Sequence, residues 1–198
     1  MKKLSLYVFL LLMWCNVGVA DDLKNFKIED MTIGDSLLDY FSEEDIASKK
    51  KSNYPKSKTF YMISHDYLNK HDIFRYVYFH LKEGDKKYII HSIKGLKFQK
   101  DIIKDCYNKL NEFAVMMSEQ LKDAEIIGPV TKIIPSDKSG KSEGKAVYIN
   151  LKSGNRIKMV CLNWSEEIEK QKKHLDNMSI SIESKEYKIW IQNVIGLS

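Results

Sequence analysis

Five histidines and the two cysteines that follow the first twenty residues, Cys106 and Cys161, are the side chains of this chain best suited to hold a metal or form a cross-link. His80 and His91 fall in "IFRYVYFHL" and "KKYIIHSI", two aromatic and β-branched runs that predict strands. Gly84-Asp85 lies between them, and a two-residue turn with glycine first suits a hairpin. That register sets both imidazoles on one face near Tyr76 and Tyr78, where rings on adjacent strands can share a metal ion, with His65 or His71 as a third ligand. A three-residue turn sends His80 and His91 to opposite faces, and no third ligand stands at a recognisable spacing. The plainer reading is a half-exposed sheet face carrying Tyr78, His80 and His91, a surface open to a partner.

Gly34-Asp35-Ser36-Leu37 repeats the four letters that name the GDSL serine esterases. A serine nucleophile needs a base, which that class supplies in an Asp-x-x-His near the C-terminus. Here the residues three before His65, His71, His80, His91 and His174 are Met62, Leu68, Val77, Tyr88 and Gln171, so the partner is missing. The segment "NFKIEDMT" before Gly34 is also a poor buried strand. Ser36 reads better as a helix cap, with Leu37, Leu38 and Phe41 on one face of a helix from about Leu37 to Ala47 and Asp39 completing a near capping box. "PSDKSGKS", Pro135 to Ser142, has the ending of a phosphate-binding loop. Pro135 replaces the first glycine and a strand follows Ser142, so no helix N-terminus is there to receive a phosphate.

The elements that position these residues alternate in type. "TFYMISH" and the two runs above read as three strands, with Val77, Phe79, Leu81, Tyr88 and Ile90 on one face. Ile103, Cys106, Leu110, Phe113, Met117 and Leu121 recur at steps of three and four and predict a long amphipathic helix. "EIIGPVTKIIP" is an interrupted strand, and "AVYINL" and "RIKMVCLNW" form a second hairpin. A three-residue turn there, with Gly154 left-handed, puts Val147, Ile149, Leu151, Ile157, Met159 and Cys161 together, as a buried face requires. Ser165 starts a short helix, "MSISIE" is a strand, and Ser184 and Gly196 bracket a last helix carrying Tyr187, Trp190, Ile191, Val194 and Ile195. The order predicts an α+β fold: antiparallel sheet with helices packed on one face, in two helix-plus-three-strand halves, 21–98 and 99–198. Cys106 and Cys161 both fall on core faces and are expected to pair as a disulfide; the alternative is two buried free thiols.

Lys2 and Lys3, the apolar run Leu4 to Trp14 and the small residues ending at Ala20 predict a secretory signal peptide cut between Ala20 and Asp21. The run is shorter than the roughly 20 apolar residues of a permanent anchor. Trp14 before Cys15 argues against a lipid anchor. Residues 21–198 are therefore expected to be one soluble domain in the periplasm or outside the cell, where a disulfide persists. The net charge of +5 falls to +3 without Lys2 and Lys3. Of 32 basic residues only Arg75 and Arg156 are arginine, which argues against a nucleic-acid partner despite the interleaving of Lys with Tyr and Phe between Lys56 and Lys87.

The leader ending "VGVADD", with "NFKIEDMTIGDSLLDYFSEEDI", "YIIHSIKGLKF", "DCYNKLNEF", "IPSDKSGKS" and "VCLNWS", resembles a group of uncharacterised small exported proteins of marine alphaproteobacteria. The resemblance spans most of the chain beyond the leader and implies a periplasmic location; it transfers no catalytic residue. The first expectation is a non-catalytic protein that binds an unknown protein or small ligand through a sheet face or loop, without a cofactor. The alternatives are a hydrolase with unidentified catalytic residues, Ser36 the first candidate, and a metal-binding protein using His80 and His91.

Overall fold

The computed structural model describes residues 23, 26–54, 57–66, 74–98, 102–134, 137–172 and 174–195. The expected leader with its cleavage at Ala20 and Asp21, His71, Pro135 and Gly196 lie outside the described residues. The strands are β1 Ser52–Tyr54, β2 Ser57–Asp66, β3 Tyr76–Lys82, β4 Ile90–Phe98, β5 Glu125–Ile133, β6 Glu143–Asn150, β7 Arg156–Asn163 and β8 Asn177–Glu183. The helices are α1 Glu43–Ser48, α2 Ile102–Gln120, α3 Glu166–Lys172 and α4 Lys185–Ile195.

All eight strands join one antiparallel sheet in the order β1-β2-β3-β4-β8-β7-β6-β5. The expected α+β class holds. Each half supplies a four-stranded meander, and the last strands of the two halves, β4 and β8, meet in the middle. The extra strand is β1, three residues of a polar stretch in which Ser52 and Asn53 are exposed, so it carries no alternation to read.

One face of the sheet is the core. Val77, Phe79, Ile93, Ile182, Met159 and Val147 lie across it, and all are buried. The apolar stripe of α2, with Cys106, Leu110 and Met117 buried, lies over the β5 to β8 half. The N-terminal segment brings Leu37 and Ile46 into the same cluster, and the Phe41 ring lies 6.1 Å from that of Phe79. Cys106 of α2 and Cys161 of β7 form the expected disulfide, with Cα atoms 6.0 Å apart.

The second hairpin is built as the parity argument requires. Leu151 N donates to Asn155 O at 3.0 Å and Gly154 N to Leu151 O at 2.8 Å, leaving a three-residue loop with Gly154 at φ +88°. A Cβ on Gly154 would also meet the Lys185 side chain at 2.6 Å. Gly154→Ala is therefore expected to cost about 1 kcal/mol or more, read as a lower urea midpoint with unchanged m-value.

Three expectations are corrected. Helices occupy both faces of the sheet, because α2 and the N-terminal segment fill the first and the apolar stripe of α4 needs other ground. It finds the outer aromatic surface of the sheet: the Tyr187 ring lies 4.6 Å from His80 and 5.5 Å from Phe60. The helix expected from Leu37 to Ala47 is broken into a 3-10 turn at Leu37–Asp39 and the short α1. Ser42 restarts it, accepting from Asp45 N at 3.1 Å while donating to Asp45 Oδ2 at 2.6 Å, so the N-cap of the α-helix sits six residues later than expected. The first hairpin has no two-residue turn at Gly84-Asp85. The Asp85 carboxylate accepts from the amides of Lys87 and Ile89 at 2.9 and 3.0 Å and holds a longer loop, and a bulge shifts the register between His80 and Leu81.

Candidate functional site

The outward face of the central strands carries polar residues where a second core would carry apolar ones. Tyr78, Lys94, Ser181 and Lys158 form one row across β3, β4, β8 and β7. His80, Ser92, Glu183 and Arg156 form the next row toward α4. Tyr76, Leu96, Ser179 and Val160 form the row on the other side. Ser92, Ser179 and Ser181 are buried, and their small side chains leave room above the sheet. The strand "MSISIE" does this by simple alternation, isoleucine toward the core and serine away from it.

Glu183 anchors the charge pattern. Its side chain is 4% exposed, Arg156 Nε donates to it at 2.9 Å and Lys158 Nζ lies at 2.9 Å. Burial alone would raise the carboxyl, but Lys158 and Arg156 overcome it and hold it at about 2. Two cations on one carboxylate leave these two neighbouring rows net positive. Lys94 adds a third cation: half-buried, it makes no ion pair or hydrogen bond among the described residues. Burial pushes its ammonium down to about 8, with Lys158 adding to the shift and the Glu183 carboxylate opposing it. His80 is 5% exposed and its Nδ1 has no partner among the described residues.

Above these rows lies a cleft in two adjoining parts that share part of their lining. The inner part, about 440 Å³, runs under α4 and is lined by Tyr54, His80, Glu183, Tyr187 and Ile191. The Tyr54 and Tyr187 hydroxyls meet at 3.0 Å there, and burial raises both phenols. The outer part, about 780 Å³, opens over Tyr76, Leu96, Phe98 and Leu162 and is walled by Trp164 and Leu175. Tyr78, Lys94 and Leu96 line both. Each volume lies in the range of small-molecule sites, about 300–1,000 Å³. The wall is fixed by Asp176, which accepts from Trp164 N at 2.8 Å, and by the His174 ring 4.7 Å from that of Trp164. Asn177 Nδ2 donates to Leu175 O at 3.0 Å, while Asn177 Oδ1, buried at the edge of the outer part, has no partner among the described residues.

The residues singled out for chemistry fall elsewhere or serve structure. Ser36 caps the 3-10 turn, its Oγ accepting from Leu38 N at 3.1 Å and donating to Lys87 O at 2.6 Å. The loop that carries the ending of a phosphate-binding loop, read from its sequence as a solvated loop and no phosphate site, turns one side inward. Asp137 Oδ2 accepts from Ser142 N at 2.9 Å, Ser142 Oγ at 2.6 Å and Ser165 Oγ at 2.9 Å, which pins the loop to the start of α3. His80 and His91 do share the α4 side of the sheet, through the bulge and not the two-residue turn. His91 Nδ1 lies 3.5 Å from Glu186 Oε2, whereas His65 is on the opposite face, 3.0 Å from Lys49 Nζ. Among the described residues no group of three or more His, Cys, Asp or Glu can hold a metal ion. Sequence reasoning passed over Lys94, Lys158 and Glu183. The signal was a lysine inside the apolar run "HSIKGLKF" and the Ser-Ile alternation of β8.

His80 gives the site a measurable pH signature. Burial pushes its imidazole down to about 3 from the ordinary value near 6.5. The unfolded chain then binds more protons than the fold between those limits, so the contribution of neutral His80 is complete above pH 6.5 and is lost as pH falls toward 3. His80→Gln is expected to flatten the dependence of the urea midpoint on pH between about 6.5 and 4.5, above the range where Glu183 protonates.

No protein-family model, curated protein or solved structure matches the chain. Among the described residues no helix is long and apolar enough to cross a membrane.

Proposed function

We propose that this chain is an exported, non-catalytic binding protein that takes a small ligand on the outward face of its sheet. The observation that carries the reading is the two-part cleft over β3, β4, β8 and β7, in which apolar side chains and a few polar groups line both parts. Apolar walls with a few convergent polar groups are the ordinary composition of a ligand site. The disulfide between Cys106 and Cys161 supports the exported location, since such bonds persist in oxidising compartments. N-terminal sequencing of protein recovered from the cell envelope is expected to begin at Asp21.

The neutral apolar dye Nile red tests the binding reading. A saturable, blue-shifted emission is expected from the folded protein, and Leu162→Glu, which places a charge in the outer part of the cleft, is expected to weaken it at least tenfold. Absence of saturable binding, or binding indifferent to Leu162→Glu, would overturn the proposal. The hydrolase reading makes the opposite forecast for a fluorophosphonate probe. Because Ser36 Oγ is engaged by Leu38 N and Lys87 O, no labelling is expected; labelling that vanishes on Ser36→Ala would restore that reading.

A further inference from the structure

The charged and apolar groups of the cleft are placed in a way that specifies a ligand. Three lysine or arginine residues line it. Arg75 is paired with Asp66 at 3.2 Å, and Lys158 with Glu183 at 2.9 Å. Lys94 has no carboxylate partner among the described residues, and it stands where the inner and outer parts of the cleft meet. The one carboxylate lining either part, Glu183, is already shared by Arg156 and Lys158. The junction therefore holds an excess of positive charge withdrawn from water. A cation partly withdrawn from water and only partly offset by a shared carboxylate is costly, and an anion arriving beside it recovers that cost.

From Lys94 outward the β4 side of the floor turns apolar, with Asn177 beside it opposite Phe98 and Arg75 and His174 also in the lining. Lys94, Leu96 and Phe98 succeed one another on the same face of β4. At about 3.4 Å per residue this gives a track of roughly 13 Å from the cation to Phe98. Leu162 and Trp164 flank that track, and Leu175, 56% exposed, overhangs its open end. A compact polar anion would leave the track empty, and a neutral apolar molecule would leave Lys94 unpaired.

We propose that the ligand is a long-chain organic anion, its single charged head beside Lys94 and its apolar tail along Leu96 and Phe98 toward Trp164. This rests on the reading of the cleft as a binding site and adds the chemical class of its occupant. A fatty carboxylate and an alkyl phosphate share the required chemistry, and calorimetry can tell them apart.

The experiment compares laurate, dodecyl phosphate and the neutral dodecanol, all below their aggregation limits, on wild-type protein and on Lys94→Met. Laurate or dodecyl phosphate is expected to bind the wild type at least tenfold more tightly than dodecanol, and the tighter of the two names the head group. Lys94→Met is expected to erase that preference while leaving dodecanol affinity within about twofold. Lys94→Gln serves as a second variant, with circular dichroism as the check on folding. Equal binding of anion and alcohol to the wild type, or a preference that survives both variants, would overturn the ligand class and leave the binding site standing. Failure of all three to bind would remove the site itself. A dimer in sedimentation velocity that excludes laurate would assign the face to a second copy of the chain and overturn the proposal as well.

Discussion

Glu183→Ala is expected to destabilise the protein by about 3–5 kcal/mol, more than any single change in the apolar core short of a large truncation. The carboxylate is almost fully buried and is the shared partner of Arg156 and Lys158. Removing it leaves two cations facing each other in the middle of the sheet, with Lys94 in the next strand but one adding to the repulsion. The loss is to be read from urea unfolding at neutral pH. A control separates a broken pair from a lost packing contact: changing Arg156, Lys158 and Glu183 together to apolar residues of similar size is expected to restore most of the stability. A triple variant as unstable as Glu183→Ala would mean that packing, and not unpaired charge, dominates there.

The second large effect is expected from Cys106→Ala combined with Cys161→Ala. The bridge closes a loop whose ends are 55 residues apart, and the chain-entropy relation gives about 4 kcal/mol for a loop of that size. Both sulfurs are fully buried between α2 and β7, so the alanines also leave a small void. Reduction of the native protein should lower the urea midpoint comparably. Mass spectrometry of unreduced, alkylated protein is expected to find no free thiol at either cysteine.

How far the sequence foretold this structure depends on what each residue had to decide. The buried face of β6 and β7 followed from parity alone, because only one loop length brings six apolar residues together, and Gly154 was the residue able to close it. The pairing of Cys106 with Cys161 followed in the same way, one from helical and one from strand periodicity. The loop at Gly84-Asp85 was misjudged because the choice lay with the Asp85 side chain, whose bonds to the amides of Lys87 and Ile89 outcompete a tight turn. The placement of α4 could not be read either: an amphipathic stripe says that one side is covered and is silent on which sheet face covers it. The site itself was half legible. Tyr78, His80 and His91 marked the right face through their alternation, yet the charged group of Lys94, Lys158 and Glu183 depends on β4 lying beside β8, a contact between residues nearly ninety positions apart. Local pattern carries no information about such a neighbour.

A ligand of the proposed class must touch the protein on the outward face of the sheet. Amide spectra of the labelled chain, recorded with increasing laurate, are expected to move first at Tyr78, Lys94, Leu96, Ser179 and Asn177, across three neighbouring strands of the outward face. Shifts centred on the exposed Val115 and Met116 of α2, with those five amides unmoved, would contradict it.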